Sequence, residues 1–312
     1  MLKGLSGEVE TEIATTVIET MKKVSQPGSN DIKRISVMKK GMTNQSFLIF
    51  CKDKKYIMRI PGVGTDLIIN RKEEAAVYWA ICNKGICDNI VYINPENGYK
   101  ITEYLENART CNPLNRNDVK KCMEKLRQVH KMKLQVEHEF DIYKKIDLYE
   151  SFLSEKGFSS KYKDYKQTKE SIFELQRYIN KYSEEKILTH IDAVSDNFLF
   201  VKDGKGVEEI RLIDWEYAGM QDPHVDIAMF GIYSMYNRRQ MEGLIQEYFQ
   251  GNCPDYVKTK IYCYIAACGL LWSNWCEYKS SLGVTFGEYA LCQYQYAKEY
   301  YNVVKNELVK EG

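Results

Sequence analysis

The spacing of apolar residues changes along the chain, from mainly short alternating runs to long helical patterns. Residues 8–24 place apolar side chains at helical spacing, and Pro27-Gly28 ends that pattern. The following hundred residues predict five strands and one helix, separated by turn residues. The predicted strands cover 32–38, 45–51, 56–60, 89–93 and 99–105, and the predicted helix covers 66–84.

Beyond residue 117 the pattern is typical of helices. They are predicted at 117–131, 142–155 and 160–182, and again after Pro223 almost to the end. One predicted hairpin, with strands 198–201 and 206–213, interrupts them. The order favours an α+β protein with a β-rich region at 1–106, which includes the leading helix, and a mainly helical region at 107–312.

Composition excludes several classes of protein. The formal net charge of the 312 residues is +1, so no strong field would attract nucleic acid or an anionic membrane. The ten cysteines contain no C-x-x-C pair, which disfavours zinc and disulfides and favours a reducing cytoplasm. The N-terminal residues lack the apolar core of a signal peptide, and the apolar segment 261–272 is too short to span a bilayer.

Candidate chemistry is concentrated between residues 188 and 219. Asp192 lies two residues after a His, Asn197 follows five residues later, and Asp214 ends an apolar run. In phosphoryl transfer one carboxylate orients the attacking hydroxyl, while an Asn and a second carboxylate hold Mg2+. The commoner use of Asp and Asn is to cap turns. The short hairpin favours the catalytic interpretation, because it would return Asp214 to the vicinity of Asn197.

The segments H-I-D-A-V-S-D-N-F-L-F and L-I-D-W-E-Y-A-G-M-Q-D-P resemble the choline/ethanolamine kinase family, a branch of the aminoglycoside phosphotransferase-like relatives of protein kinases. The resemblance implies a two-lobed kinase-like fold with a small β-rich lobe followed by a helical lobe. It implies that Asp192 is the catalytic base and that Asn197 and Asp214 bind Mg2+. It gives His190 a structural role and places Glu216 near the metal or the substrate cation.

The β-rich region also resembles that family. K-K-G-M-T-N-Q-S-F is similar to its phosphate-covering loop, which implies ATP contacts at Gly41, Thr43 and Asn44. A simple hairpin turn is the alternative. Arg59, within R-I-P-G, stands where many relatives have the phosphate-binding Lys, and a guanidinium can bind phosphate oxygens bidentately. The alternative is a strand Arg with its head group in solvent.

The resemblance also implies an acidic partner for Arg59 and a segment that contacts adenine. The cation at Arg59 calls for an acidic partner on the following helix, and spacing favours Glu74 over Glu73. Residues 101–105 resemble the segment that connects the two lobes, so the resemblance implies backbone contacts to adenine at Glu103 and Leu105. An ordinary edge strand is the alternative there.

A W-x-x-W sequence in a predicted C-terminal helix indicates what kind of acceptor substrate could bind. Trp272 and Trp275 share a helix face and can enclose a quaternary ammonium, although such pairs are more often core packing. Eukaryotic members of the family have a Glu in a position where this chain leads to Tyr233 and Tyr236. Tyr233 is therefore expected to contact the substrate, with a carboxylate from Asp222, Glu216 or Glu277 nearby. Asp226 is expected to anchor a loop or cap a helix.

The sequence therefore predicts a kinase that uses ATP and Mg2+, with choline as the favoured acceptor and phosphocholine as the product. Ethanolamine, another amino-alcohol or an aminoglycoside is the alternative acceptor. An inactive ligand-binding relative is the alternative of a different class. Neither a nucleic-acid nor a membrane partner is expected, and the oligomeric state is left open.

Overall fold

The computed structural model describes residues 9–24, 28–40, 44–62, 64–202 and 206–311. They form two compact units. The first unit combines the described chain up to Thr110 with Asn197–Tyr217, and the second combines Cys111–Asp196 with the chain from Ala218 onward. The sequence division at 106/107 had assigned Asn197–Tyr217 to the helical region. That segment groups with the first unit because the first of its two strands pairs both with a strand at Arg109–Thr110 and with its second strand.

The first unit contains an antiparallel sheet of five strands in the order β1-β2-β3-β5-β4. Helix α1 adds Ala14, Val17 and Met21 to the hydrophobic core of this sheet, and all three are fully buried. Alternation along β2 and β3 places every second side chain in that core, as period-two strands require. The bounds are α1 Thr11–Met21, β1 Ile32–Lys40, β2 Asn44–Cys51, β3 Lys55–Pro61, β4 Ile90–Ile93 and β5 Lys100–Glu103.

The helix expected at 66–84 is shorter than predicted. A single 3-10 turn occupies Thr65–Leu67, and helix α2 begins at Arg71 and ends at Ile81. The Asn70 side chain accepts hydrogen bonds from the backbone N–H groups of Lys72 and Glu73. Because such an N-cap satisfies the first free donors of a helix, the helix starts after Asn70.

A second, three-stranded sheet of the first unit contains β6 Arg109–Thr110, β8 Phe198–Lys202 and β9 Glu208–Leu212. Its β8–β9 hairpin is antiparallel and pairs Phe198 with Leu212. This confirms the hairpin that the sequence predicted in this region.

The second unit is mainly helical. Helix α9 is 27 residues long and is buried along most of its length. It approaches α10 closely at Gly269, where an added Cβ would lie 2.7 Å from the backbone oxygen of Gln293. The bounds are α3 Arg116–Lys131, α4 Ile142–Glu155, α5 Tyr165–Glu174, α6 Gln176–Lys181, β7 Ile187–Thr189, β10 Gly219–Gln221, α7 His224–Tyr233, α8 Arg238–Phe249, α9 Asp255–Ser281 and α10 Tyr289–Glu311.

Two details of this unit differ from the prediction. The polar helix expected at 160–182 is two consecutive helices, α5 and α6, with Leu175 between them. Strands β7 and β10 form a small antiparallel sheet that pairs Thr189 with Gly219. The predicted fold class is nevertheless confirmed, because a small antiparallel β-rich part precedes a larger helical part. Within the described ranges, no helix is both long and apolar enough to cross a membrane.

Candidate active site

Arg59 is the centre of a buried ion network in the first unit. Its guanidinium is paired with Glu74, donates to Asp214 Oδ1 at 2.6 Å, and lies 3.3 Å from Glu216 Oε2. Burial lowers the pKa of Arg59, but the charges of Glu216 and Asp214 outweigh burial and raise it overall. The residue is 6% exposed, so the alternative of a head group in solvent is wrong. Its acidic partner on α2 is Glu74, whereas the neighbouring Glu73 is only half-buried.

A second guanidinium, from Arg71, lies in the same network and was missed by the sequence analysis. It donates to Glu74 Oε2 at 2.8 Å, to Glu216 Oε2 at 3.2 Å and to Asn44 Oδ1 at 3.3 Å. Burial, and then the charge of Arg59, lowers the pKa of Arg71. Its position in the sequence could have indicated these contacts. A cation in the first turn of a helix is unfavourable next to the positive end of the helix dipole, so it needs anionic partners.

Glu216 contacts this network through its side-chain oxygen. Its Oε2 accepts from Asn44 Nδ2 at 2.8 Å as well as from the arginines. Asn44, the described residue of the predicted phosphate loop, is thereby held to the motif that contains Asp214. Gly41 and Thr43, the other two predicted loop residues, lie outside the described residues.

The backbone after Asp214 is held by Tyr78. The Tyr78 hydroxyl accepts from the Trp215 N–H at 3.3 Å and also from the Lys100 ammonium. Burial, and then the charge of Arg59, lowers the pKa of Lys100 to about 8. Asp214 itself has φ 64°, a left-handed conformation that Asp tolerates better than most residues. The contact through Trp215 therefore supports an unusual conformation at a residue with a predicted catalytic role.

Asn197 and Asp214 are brought together by the β8–β9 hairpin. The Ile213 N–H donates to the Asn197 carbonyl at 2.9 Å, so Asn197 is paired with the residue that immediately precedes Asp214. The Asp214 carboxylate is 35% exposed, which leaves it accessible to a ligand. Among the described residues there is no cluster of three acidic, His or Cys side chains that could hold a metal. An amide and one carboxylate do fit Mg2+, which is usually bound by one or two protein oxygens together with phosphate oxygens.

The residues predicted to contact adenine, Glu103 and Leu105, lie at the end of strand β5 and just beyond it. The Glu103 N–H donates to Asn89 O at 2.8 Å, and its carboxylate is paired with Lys54. The Tyr104 N–H donates to Lys55 O at 2.9 Å. Leu105 lies beyond the end of β5 and is half-buried. Strand β5 lies between β3 and β4, so the alternative of an ordinary edge strand is wrong. The Glu103 side chain is occupied by Lys54 at the end of this strand, and any adenine contact would come from the backbone.

In the second unit, Asp192 belongs to a turn that is anchored by Asp226. The carboxylate of Asp226 is fully buried and accepts from the His190 N–H at 2.9 Å and the Ile191 N–H at 2.7 Å. Ile191 has φ 67°, which is rare for a β-branched residue and needs such external support. Asp226 therefore anchors the loop, as the sequence analysis expected, and His190 is buried within it.

The two indoles of the predicted cage are in direct contact. The rings of Trp272 and Trp275 are 5.5 Å apart and inclined at 80°. Tyr233 lies 5.5 Å from Trp272, and Phe286 lies 5.3 Å from Trp275. Both indoles are buried, whereas Tyr233 and Phe286 are half-buried. Phe286 was missed because it precedes α10, outside the helical W-x-x-W spacing.

Tyr289 lies close enough to Asp192 for that carboxylate to affect its pKa. Burial raises its pKa well above the usual value, and nearby Cys276 and Asp192 raise it further. Tyr289 is half-buried at the start of α10, three residues after Phe286. The candidate base thus lies near the beginning of α10, in the same unit as the aromatic cluster.

Two of the carboxylates considered for the substrate cation have other roles. Asp222 is 3% exposed, and its oxygens contact Lys260 Nζ at 2.8 Å and His224 Nδ1 at 2.9 Å. Glu277 accepts from the Lys161 N–H at 2.8 Å. Because it is two residues beyond Trp275 on a helix, Glu277 projects from a different side. Aromatic faces remain as the principal groups for a cation.

Comparison with known proteins identifies the same family that the sequence motifs resemble. Residues 35–265 match the family model described as choline/ethanolamine kinase. The chain is 27% identical over 264 residues to the protein LicA of Haemophilus influenzae, which covers 80% of this chain and 95% of that protein. A crystal structure of choline kinase LicA from Streptococcus pneumoniae matches with a TM-score of 0.78 at 26% identity, over 94% of this chain and 99% of that chain. A crystal structure of LicA in complex with AMP matches with a TM-score of 0.75 at 26% identity, over 93% and 98% of the two chains.

Proposed function

Because the chain belongs to the choline/ethanolamine kinase family, whose members are phosphotransferases that act on alcohol groups, we propose that it transfers the γ-phosphate of ATP to choline and forms phosphocholine. The observation that carries the choice of choline is the pair of perpendicular indoles, Trp272 and Trp275, with Tyr233 and Phe286 beside them. The similarity to choline kinase LicA from Streptococcus pneumoniae and to LicA in complex with AMP supports a choline acceptor and a nucleotide donor.

A quaternary ammonium suits such a cluster. It has no N–H donors, so it gains little from hydrogen-bond acceptors, and each aromatic face contributes about 0.5–2 kcal/mol of cation–π attraction. Ethanolamine carries a primary ammonium with three donors and would require oxygen acceptors. Asp222 and one oxygen of Glu277 already have polar partners, and Glu277 projects from a different side of α9 than Trp275, so the aromatic cluster favours choline over ethanolamine.

Asp192 is the proposed general base. It accepts the proton of the choline hydroxyl as the hydroxyl oxygen attacks the γ-phosphorus in line with the departing ADP oxygen. The supporting observations are the anchored turn that presents Asp192 and the closeness of Tyr289 to it. Catalysis then comes chiefly from orientation and from stabilisation of charge.

Arg59, Asn44 and the loop before Asn44 are proposed to position the triphosphate. Asn197 and Asp214 offer oxygen ligands for Mg2+, which when bound neutralises negative charge on the phosphate oxygens. The network of two arginines and three carboxylates keeps Asp214 oriented before nucleotide arrives. Adenine is proposed to contact the backbone at Glu103 and Leu105.

The first test is phosphotransfer from ATP, with Mg2+, to choline, ethanolamine and an aminoglycoside. Choline is expected to have the highest kcat/KM. Trp275→Ala is expected to reduce kcat/KM for choline far more than for ethanolamine, because only the quaternary cation depends on the indole faces. Equal losses for the two alcohols would contradict the cage.

The second test concerns the base and the alternative of an inactive relative. Asp192→Ala is expected to abolish turnover and to leave ATP affinity nearly unchanged. Asp196→Ala is the matched control, because Asp196 is an exposed carboxylate four residues further along. Normal turnover by Asp192→Ala would refute the assignment, and no phosphotransfer by the wild-type enzyme would favour a ligand-binding protein.

A further inference from the structure

We propose that a groove in the second unit binds an amphipathic organic anion, a molecule with an apolar body and a carboxylate head group. The groove lies between α10 and the junction of α5 with α6, and it is called the α6–α10 groove below. Its volume is about 450 Å³. Pockets of about 300–1,000 Å³ with mainly apolar walls are typical of small-molecule sites.

The floor of the α6–α10 groove is apolar. On α10, Tyr301, Val304 and Leu308 are spaced i, i+3 and i+7, so they share one helix face. Leu175 and Tyr178 line the opposite wall. Val304, Leu175 and Tyr178 are buried, whereas Leu308 is 39% exposed. An apolar body laid against this floor would remove Leu308 from water, which is the main source of favourable free energy for such a ligand.

The rim of the α6–α10 groove is cationic. Arg177, Lys181 and Lys305 line it and are exposed, and none of them forms an ion pair with another described residue. The lining has one carboxylate, that of Glu174, which accepts from the Tyr301 hydroxyl at 3.1 Å. Three cations beside one carboxylate make the lining positive, although the net charge of the whole chain is only +1. A carboxylate head group complements this rim, because a guanidinium can bind it through two parallel hydrogen bonds.

The floor and the rim together determine the class of ligand. A small inorganic anion would leave the apolar floor uncovered, and an uncharged hydrocarbon would leave the cations unused. A quaternary ammonium would be repelled by the rim. The single-chain carboxylate is therefore the ligand whose two parts match both parts of the groove.

The α6–α10 groove is distinct from the candidate acceptor site. Val304 is fifteen residues beyond Tyr289 on α10, which corresponds to about 22 Å along an α-helix. Tyr289 is the residue of this helix that lies near Asp192. The proposal therefore goes beyond the proposed function and does not depend on it.

The test measures binding of octanoate, decanoate and dodecanoate to the whole protein by isothermal titration calorimetry. Affinity is expected to rise roughly 4-fold per added methylene, because each one buries further apolar surface. Decan-1-ol, the uncharged counterpart of decanoate, is expected to bind roughly 5-fold more weakly or worse, because it gains no attraction from the rim. The affinity of decanoate should fall as the salt concentration rises, since exposed charges are screened.

Matched variants locate the site. Leu308→Glu puts a carboxylate on the groove floor and is expected to lower decanoate affinity roughly 10-fold or more, through repulsion and lost apolar contact. Val309→Glu is its control, because Val309 is adjacent, 75% exposed and outside the lining. Lys305→Glu is expected to weaken decanoate roughly 10-fold and decan-1-ol little, because it reverses a charge of the rim. Its control is Lys166→Glu, at an exposed position of α5 outside the lining.

The proposal fails if decanoate binds Leu308→Glu as tightly as Val309→Glu, or if decan-1-ol binds as tightly as decanoate. Displacement of decanoate by ATP or choline would also overturn it, because the anion would then occupy the candidate active site. Dimers of the wild-type protein that Leu308→Glu dissociates in sedimentation would overturn it too, since the groove would then hold a second copy of this chain. If Leu308→Glu does not fold, Lys305→Glu carries the same comparison from an exposed position. None of these measurements requires phosphotransfer.

Discussion

Glu74→Gln tests the ion network most directly, because it keeps the shape of the side chain and removes one charge. Glu74 has a side-chain exposure of 1% and is paired with both Arg59 and Arg71. After substitution the two guanidinium groups share only Asp214 and Glu216. Both arginines remain buried, so water cannot replace the lost carboxylate.

The expected magnitude follows from that burial. Removal of one partner from a buried ion pair costs about 3–5 kcal/mol, because an uncompensated charge is left in a medium of low dielectric. Glu73→Gln is the matched control, since Glu73 is adjacent on α2 but only half-buried. Substitutions away from such networks usually stay within about 0.5 kcal/mol.

The assay is urea unfolding followed by circular dichroism, with the free energy of unfolding extrapolated to water. With a slope of about 3 kcal/mol per molar urea, a loss of 3–5 kcal/mol lowers the midpoint by about 1 M or more. Glu73→Gln should leave the midpoint nearly unchanged. A Glu74→Gln loss below about 1 kcal/mol, typical of an exposed pair, would refute the buried network.

Two further predictions concern a buried amine and a close helix contact. The native pKa of Lys100 is lowered to about 8, whereas a Lys in the unfolded chain has a pKa of about 10.4. As the pH increases from the first value to the second, the free energy of unfolding should rise by about 3 kcal/mol relative to that of Lys100→Met. The sign follows because the unfolded chain holds the extra proton throughout that window; a difference between the two proteins that does not change with pH would contradict it. Gly269→Ala should lower stability by about 1–3 kcal/mol through overpacking against Gln293, whereas Gly243→Ala, with open space around its Cβ position, should be neutral or stabilising in thermal unfolding.

Local patterns predicted most of the elements and several contacts. Ile142–Glu155 has the predicted bounds because an Asp141 cap and helical apolar spacing agree there. The β8–β9 hairpin was also anticipated, since a short turn between two strand patterns leaves one favourable pairing. The helix between β3 and β4 was predicted to begin too early, because its apolar spacing extends across the Asn70 cap.

The sequence by itself determined the order of the two regions, the family and the residues with candidate chemistry, since these depend on neighbouring residues and short motifs. Only the tertiary structure decided that Arg71 joins Arg59 and that Asp222 is taken up by Lys260. It alone showed that His130 contacts Asp226, 96 residues away in the chain. Such contacts are selected by burial, which requires every enclosed charge and donor to find a partner regardless of distance along the chain.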